Sequence, residues 1–98
     1  MSIIEKSKNK IVEFLDKLFE NDSAVNLVLY NDDYVYEGLV RQALMNTFGY
    51  SSSKAYDLML TAHNYGSAIV WTGGRKEAEN YALNLRVLYG LTTEVVEL

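Results

Sequence analysis

Polar side chains that can bind a cation cluster at two points of the sequence. Asn31, Asp32 and Asp33 directly follow an apolar stretch, and His63, the single histidine of the chain, lies further on. On a helix, Met59 lies four residues before His63, so these two side chains share a face. If that face approaches the Asn-Asp-Asp segment, a carboxylate, an amide oxygen and an imidazole would surround an ammonium group beside an apolar hollow.

The same residues have a simpler interpretation, which composition alone favours. Asn and Asp are common in turns, and a lone histidine is often an ordinary half-buried side chain. An Asp–His pair could also serve acid–base catalysis, but no nucleophile has a recognisable motif around it. Ser51 to Ser53 are better helix caps, and Gly73-Gly74 is a weak signal for a phosphate loop. We therefore expect no enzyme.

Composition narrows the class of protein. The 98 residues form one domain's worth of chain, with the 49% hydrophobic and 22% charged content of a folded protein. Without cysteine and with one histidine, the chain lacks the usual zinc and iron–sulfur ligands, and we expect no cofactor or metal. A net charge of −4 argues against nucleic-acid binding. No apolar run reaches the roughly 18 residues of a membrane span, so we expect a cytoplasmic protein.

The first segment predicts an amphipathic helix from Ile3 to Glu20. Its opposite face mixes both signs of charge, unlike a membrane-surface helix. The apolar stripe either packs on the chain's own domain, which we favour, or docks on a partner. We accordingly divide the chain into a helical extension, residues 1–22, and a domain, residues 23–98. The stripe consists of Ile4, Ile11, Phe14, Leu15, Leu18 and Phe19.

The rest of the chain predicts the element order β-α-α-β-α-β. Three strands are indicated by β-branched and aromatic residues, at 24–30, 68–72 and 93–98. Three helices end at glycines suited to a left-handed C-terminal position, namely Gly49, Gly66 and Gly90. The side chains of the last helix that we expect to face inward are Ala78, Tyr81, Ala82, Leu85 and Leu88. The predicted fold class is α/β (α+β), a three-stranded antiparallel sheet packed on three helices.

These residues and their spacing resemble the ClpS family of proteolytic adaptors, over roughly residues 24–97. The resemblance is carried by the segment 27–34, by Met59, His63 and Gly66, and by Ala78-Glu79. The pairs Leu85-Arg86, Gly90-Leu91 and Val96-Glu97 are most similar to the cyanobacterial and chloroplast branch. The resemblance implies an adaptor for a ClpA- or ClpC-type AAA+ unfoldase. Its location would be the bacterial cytosol, the chloroplast stroma or the cytosol of an infected cell.

The resemblance also implies a role for each site residue. Members of the family bind proteins whose first residue is bulky and apolar, typically Leu, Phe, Tyr or Trp. Carried onto this chain, the α-amino group would be held by Asn31, Asp33 and His63, with Asp32 assisting at the adjacent backbone. The side-chain pocket would be lined by Val35, Glu37, Val40, Met59 and Ala62.

Two regions depart from the pattern of the bacterial members. Where many of them carry a gating Met, this chain has Glu37. A carboxylate at an apolar rim is costly to desolvate, so we expect an altered or narrowed preference for the first residue. On the unfoldase-facing surface, which includes Glu79, the residues Lys76 and Tyr81 replace a Glu and a Lys. This difference keeps a second hypothesis open, a regulatory or decoy protein that binds the unfoldase or another partner without delivering substrates.

Overall fold

The computed structural model describes residues 23–98, in which one layer of helices covers one face of a sheet. The order of the elements confirms the predicted fold class. The predicted helix over residues 3–20, and with it the extension 1–22, lies outside the described residues. The elements are β1 (Ala24–Tyr30), α1 (Glu37–Phe48), α2 (Ser52–Tyr65), β2 (Ser67–Gly74), α3 (Arg75–Tyr89) and β3 (Thr93–Glu97).

The central strand β1 anchors the hydrophobic core. It pairs antiparallel with both neighbours, in the order β2-β1-β3. Side chains alternate along a strand, and Val25, Leu27 and Leu29 are the buried set, each at most 1% exposed. Burying each of them contributes about 1.5–3 kcal/mol relative to exposure. Buried residues of the helices that complete the core include Ala43, Leu44, Ala55, Ala62 and Leu85.

A β-bulge shapes the strand β2. The pairing register between β1 and β2 shifts between Leu27 and Val28. The bulge leaves Val70 as an extra residue outside the ladder, and Val70 is 2% exposed. The hydroxyl of Tyr50 donates a hydrogen bond to the carbonyl oxygen of Val70 at 2.7 Å. This bond gives the unpaired carbonyl the partner that a buried acceptor requires.

The ends of the helices follow local sequence signals. The side chain of Ser51 accepts a hydrogen bond from the backbone N–H of Lys54 at 3.1 Å, so the predicted serine cap begins α2. Gly49 and Gly66 end α1 and α2 with φ angles of 72° and 90°, which favour glycine. Within residues 23–98, none of these helices has the length and apolar composition needed to cross a bilayer.

The predicted inward face of α3 is wrong at one position. Ala78 and Leu85 are buried as expected, but Leu88 is 68% exposed. At 100° per residue, Leu88 lies roughly 70° from the direction shared by Ala78 and Leu85, whereas Tyr89 lies within roughly 30° of it. Tyr89 therefore packs against the core in its place.

Candidate functional site

The candidate site lies where β1 ends beside the last turn of α2. The backbone N–H of Asn31 donates to the carbonyl oxygen of Gly66 at 2.9 Å, which ties the strand end to the helix end. Asp32 then makes a turn, because its Oδ1 accepts the backbone N–H of Tyr34 at 2.9 Å. The Asn-Asp-Asp segment is thus a turn, as its composition favours. The same turn presents the polar groups of the site.

A hollow of about 320 Å³, counted with the part open to solvent, opens at this junction. The predicted site residues that line it are Asn31, Asp32, Val35, Glu37, Val40, Met59, Ala62 and His63. The fold therefore brings the turn after β1, the first turns of α1 and the second half of α2 to one place.

Three lining residues, Leu29, Tyr30 and Leu91, were missed by reasoning from the sequence. Two of them are buried, Leu29 at 1% and Leu91 at 3% exposure. The signal for Leu29 is its position among the alternating buried residues of β1. The signal for Leu91 is its place directly after Gly90. The backbone N–H of Leu91 donates to the carbonyl of Leu85 at 3.1 Å, in a helix-ending motif that commonly brings an apolar side chain inward.

The hollow has an apolar floor and a polar mouth. The floor is formed by Leu29, Met59, Ala62 and Leu91, each at most 5% exposed. The mouth is formed by Asn31, Asp32, Glu37 and His63. No Lys or Arg is among the described residues that line it. Acceptors without a competing cation suit an ammonium group, and the floor suits an apolar side chain.

Asp33 does not line the hollow but contacts a residue that does. Its Oδ1 accepts a hydrogen bond from Nδ2 of Asn31 at 3.2 Å. This contact occupies the donor end of the Asn31 amide, so the amide oxygen is left as an acceptor. Asp33 therefore orients Asn31 and adds negative charge next to the mouth.

A close contact links α1 to α2 across the mouth. Oε1 of Glu37 lies 3.7 Å from Nδ1 of His63, and the two side chains are 61% and 50% exposed. Asp32 and Asp33 add two further carboxylates near this pair. Even so, residues 23–98 contain no group of three His, Cys, Asp or Glu side chains suited to a metal ion. The amide, carboxylate and imidazole groups of the mouth are able to accept hydrogen bonds from a donor such as an ammonium group.

Tyr30 also lines the hollow, but its hydroxyl is engaged on β3. It donates a hydrogen bond to the carboxylate of Glu94. This hydrogen bond is the main cause that raises the pKa of Tyr30 above the usual value for a phenol, with burial and the charge of Glu94 adding to it. The phenol stays protonated at neutral pH, so it adds no negative charge to the mouth.

The three residues predicted to contact an unfoldase lie on α3 and do not line the hollow. Lys76 and Glu79 are exposed. Tyr81 is half-buried, and its ring centroid lies 4.8 Å from that of Phe48 and 5.1 Å from that of Trp71, both in edge-on contacts. The ring of Tyr81 therefore belongs to an aromatic cluster of the core, and only part of the side chain faces solvent.

Comparison with known proteins defines the class to which this fold and hollow belong. A family model described as "ATP-dependent Clp protease adaptor protein ClpS" matches residues 20–90. The chain belongs to the ClpS family.

Relatives in several bacteria support this membership, each carrying the name ATP-dependent Clp protease adapter protein ClpS. The protein from Nocardia farcinica is 35% identical over 69 residues, which are 70% of this chain and 65% of that protein. The protein from Streptomyces coelicolor is 32% identical over 76 residues, 78% of this chain and 79% of that protein. That from Pectobacterium carotovorum is 34% identical over 74 residues, 76% of this chain and 70% of that protein.

A solved structure matches the fold as well. The structure of Agrobacterium tumefaciens ClpS2 bound to L-phenylalaninamide aligns with a TM-score of 0.71 and 29% identity, covering 74% of this chain and 94% of that one. The actinobacterial and other bacterial origin of these relatives does not support the expected cyanobacterial or chloroplast branch.

Proposed function

We propose that this protein is an adaptor that binds proteins through a bulky apolar N-terminal residue and delivers them to a AAA+ unfoldase of the Clp protease. The observation that carries this proposal is the polar mouth directly above the apolar floor. A free N-terminal residue offers the matching pair of groups, an ammonium and a side chain on one carbon atom. The Agrobacterium relative is bound to L-phenylalaninamide, which has both groups, and this supports the proposal.

The α-amino group is assigned to the polar mouth. The amide oxygen of Asn31 and the imidazole of His63 accept its hydrogens, while Asp33 supplies charge and orients Asn31. One oxygen of Asp32 is used by the backbone N–H of Tyr34, and its carboxylate remains available to the peptide backbone that follows. No covalent step is needed in this assignment.

The first side chain of the substrate is assigned to the hollow. Leu, Phe, Tyr and Trp are the proposed first residues, in contact with the floor and with Val35 and Val40. Glu37 replaces an apolar side chain at the edge of this space. The altered preference expected from the sequence holds only if a substrate side chain covers the Glu37 carboxylate, because covering it costs hydration.

The proposed contact with a ClpA- or ClpC-type unfoldase uses the exposed side of α3, with Lys76, Glu79 and the solvent-facing part of Tyr81. In this proposal, residues 23–98 are the ClpS-like domain and residues 1–22 are an extension to it. The protein acts in the cytoplasm, where the protease and its substrates meet.

A second candidate function is a regulatory or decoy protein that binds an unfoldase, or another partner, without delivering substrates. The observation that favours it is the position of Tyr81. Its ring contacts Phe48 and Trp71, so the charge that the family places here is replaced by a side chain largely used inside the domain. Loss of a charged contact weakens a complementary interface.

Peptide binding separates the two candidates. A fluorescent peptide that begins with a free Phe is titrated with the full chain, beside the same peptide with an acetylated N-terminus. The adaptor proposal expects tight binding of the free amine alone, reduced at least about tenfold in His63→Ala and Asp33→Ala, because charge-assisted hydrogen bonds are lost. Asn64→Ala, next to His63 but exposed and outside the hollow, is the matched control and should bind like wild type.

Other outcomes have a definite meaning. If neither peptide binds while the chain still captures a ClpA- or ClpC-type unfoldase, the decoy function is correct and the adaptor proposal is wrong. A panel of peptides beginning with Leu, Phe, Tyr, Trp, Ile and Val then measures the effect of Glu37. A profile identical to that of members with Met at this position would contradict the altered preference.

A further inference from the structure

Glu37 and His63 form a pair of acceptors with a gap between them. Glu37 is the first residue of α1, and its Oε1 lies 3.7 Å from Nδ1 of His63 on α2. A direct N–H···O bond spans about 2.7–3.2 Å, so these two atoms are not hydrogen-bonded to each other. In the neutral imidazole, the nitrogen without a proton accepts hydrogen bonds. When that nitrogen is Nδ1 of His63, it and Oε1 of Glu37 are two acceptors that one donor can share.

The gap fits an ammonium nitrogen. A nitrogen about 2.9 Å from both atoms forms a triangle with them when they are 3.7 Å apart. The angle at that nitrogen is then roughly 80°, which two hydrogens of an ammonium group reach with modest bending of each bond. Glu37 therefore stands beside His63 at the polar mouth of the hollow.

The positively charged side chain of α1 does not pair with Glu37. Arg41, one turn further along α1, donates to the backbone oxygen and the hydroxyl of Ser52 and lies over the ring of Tyr56. Within residues 23–98, the ion pairs are the contact of Glu37 with His63 and that of Arg75 with Glu97. A cation that reaches the mouth thus meets a carboxylate that pairs with no Lys or Arg of residues 23–98.

We propose that Glu37 binds the α-ammonium group of the substrate together with His63, rather than acting as a gate for the side chain. This inference rests on the proposed N-terminal recognition and extends it, because it assigns the carboxylate to the amine instead of to the side-chain pocket. A residue that contacts only the ammonium strengthens binding of every first residue to the same degree. A residue that contacts the side chain changes the ranking of first residues.

The experiment measures dissociation constants of the full chain for peptides that begin with free Leu, Phe or Trp, at pH 8. Glu37→Gln should weaken all three by a common factor of about three to ten at pH 8, because a charge-assisted contact becomes a neutral one. Glu37→Met should weaken them at least as much. Asp57→Asn removes an exposed carboxylate on α2 that does not line the hollow and is the matched control, with unchanged affinity.

Three results would overturn the inference. One is equal affinity of Glu37→Gln and wild type. Another is that Glu37→Gln changes the ratio of the Leu and Trp dissociation constants by more than the common factor by which it weakens binding. Glu37 would then be a contact of the substrate side chain. The third is failure of the wild-type chain to prefer free over acetylated peptides, which removes the proposed function together with this inference. The first two results leave the proposed function intact, so the two failures are distinguishable.

Discussion

The hollow and the exposed side of α3 use their side chains in opposite ways. At the hollow, the polar groups of the mouth are exposed or half-exposed, and the structure around them is held by backbone contacts such as the bond from Asn31 to Gly66. On α3, the residue at the proposed partner surface, Tyr81, is itself part of an aromatic cluster with Phe48 and Trp71. At the hollow, the side chains proposed to bind are not the ones that hold the fold together. On α3, one side chain, Tyr81, is assigned to both tasks.

This difference decides how substitutions should be interpreted. If the proposed site is correct, a change of Asn31, Glu37 or His63 should report on recognition, since these side chains contribute little buried area. A change of Tyr81 reports on stability as well as on any partner. The comparison would fail if a substitution at the mouth of the hollow mainly lowered stability. It would also fail if a substitution of Tyr81 changed partner binding alone.

The largest expected effect is on stability, from Tyr81→Ala. Loss of the half-buried ring should lower the free energy of unfolding by about 2–3 kcal/mol, somewhat less than for a fully buried aromatic. Tyr81→Phe keeps the ring contacts and should stay close to wild type. Urea unfolding followed by circular dichroism measures both. If Tyr81→Ala were as stable as wild type and lost only unfoldase binding, the ring would be a partner contact and the comparison would fail.

A smaller effect is expected from a matched pair of helix-ending glycines. Gly66→Ala and Gly49→Ala both place a side chain at a positive φ, with no atom within 4 Å of the added Cβ. Each should cost about 1–2 kcal/mol of stability, because this backbone region is strained for L-residues. Only Gly66 holds the end of β1, so peptide affinity should fall several-fold in Gly66→Ala and stay unchanged in Gly49→Ala. Equal peptide affinities in the two variants would show that the tie does not position the site.

The smallest effect is expected at Lys76. It is exposed, so Lys76→Glu should leave stability within about 0.5 kcal/mol. If the proposed unfoldase surface is correct, restoring the acidic charge should strengthen binding to a ClpA- or ClpC-type unfoldase by about 0.5–1 kcal/mol, with Lys76→Gln between the two. Surface-immobilised unfoldase and a titration at low salt measure the change. Weaker binding by Lys76→Glu would indicate a partner surface of the opposite charge.

The fold could be predicted because its signals are local. Ser51 before α2 and the glycines after each helix mark boundaries within a few residues, and the alternation of Val25, Leu27 and Leu29 marks the buried side of β1. Leu88 could not be placed in the same way. It lies near the border of the helical stripe, where the choice between Leu88 and Tyr89 depends on what packs against α3.

Most of the residues that line the hollow could be predicted from the family resemblance, but their contacts could not. The distance between Glu37 and His63 joins two helices, and no spacing rule within one element sets it. Leu91 enters the hollow only because the chain after α3 turns inward toward β1. Such relations depend on tertiary packing and become visible only when the elements are assembled.

The order of the sheet has a mechanical consequence for the N-terminal side of the chain. Residues 1–22 lead directly into β1, the central strand, which is paired on both sides. A force that pulls the chain from its N-terminus, along the strand, loads both ladders in shear at the same moment. An edge strand would instead part from a single neighbour. Pulling from residue 23 therefore has to break two ladders at once.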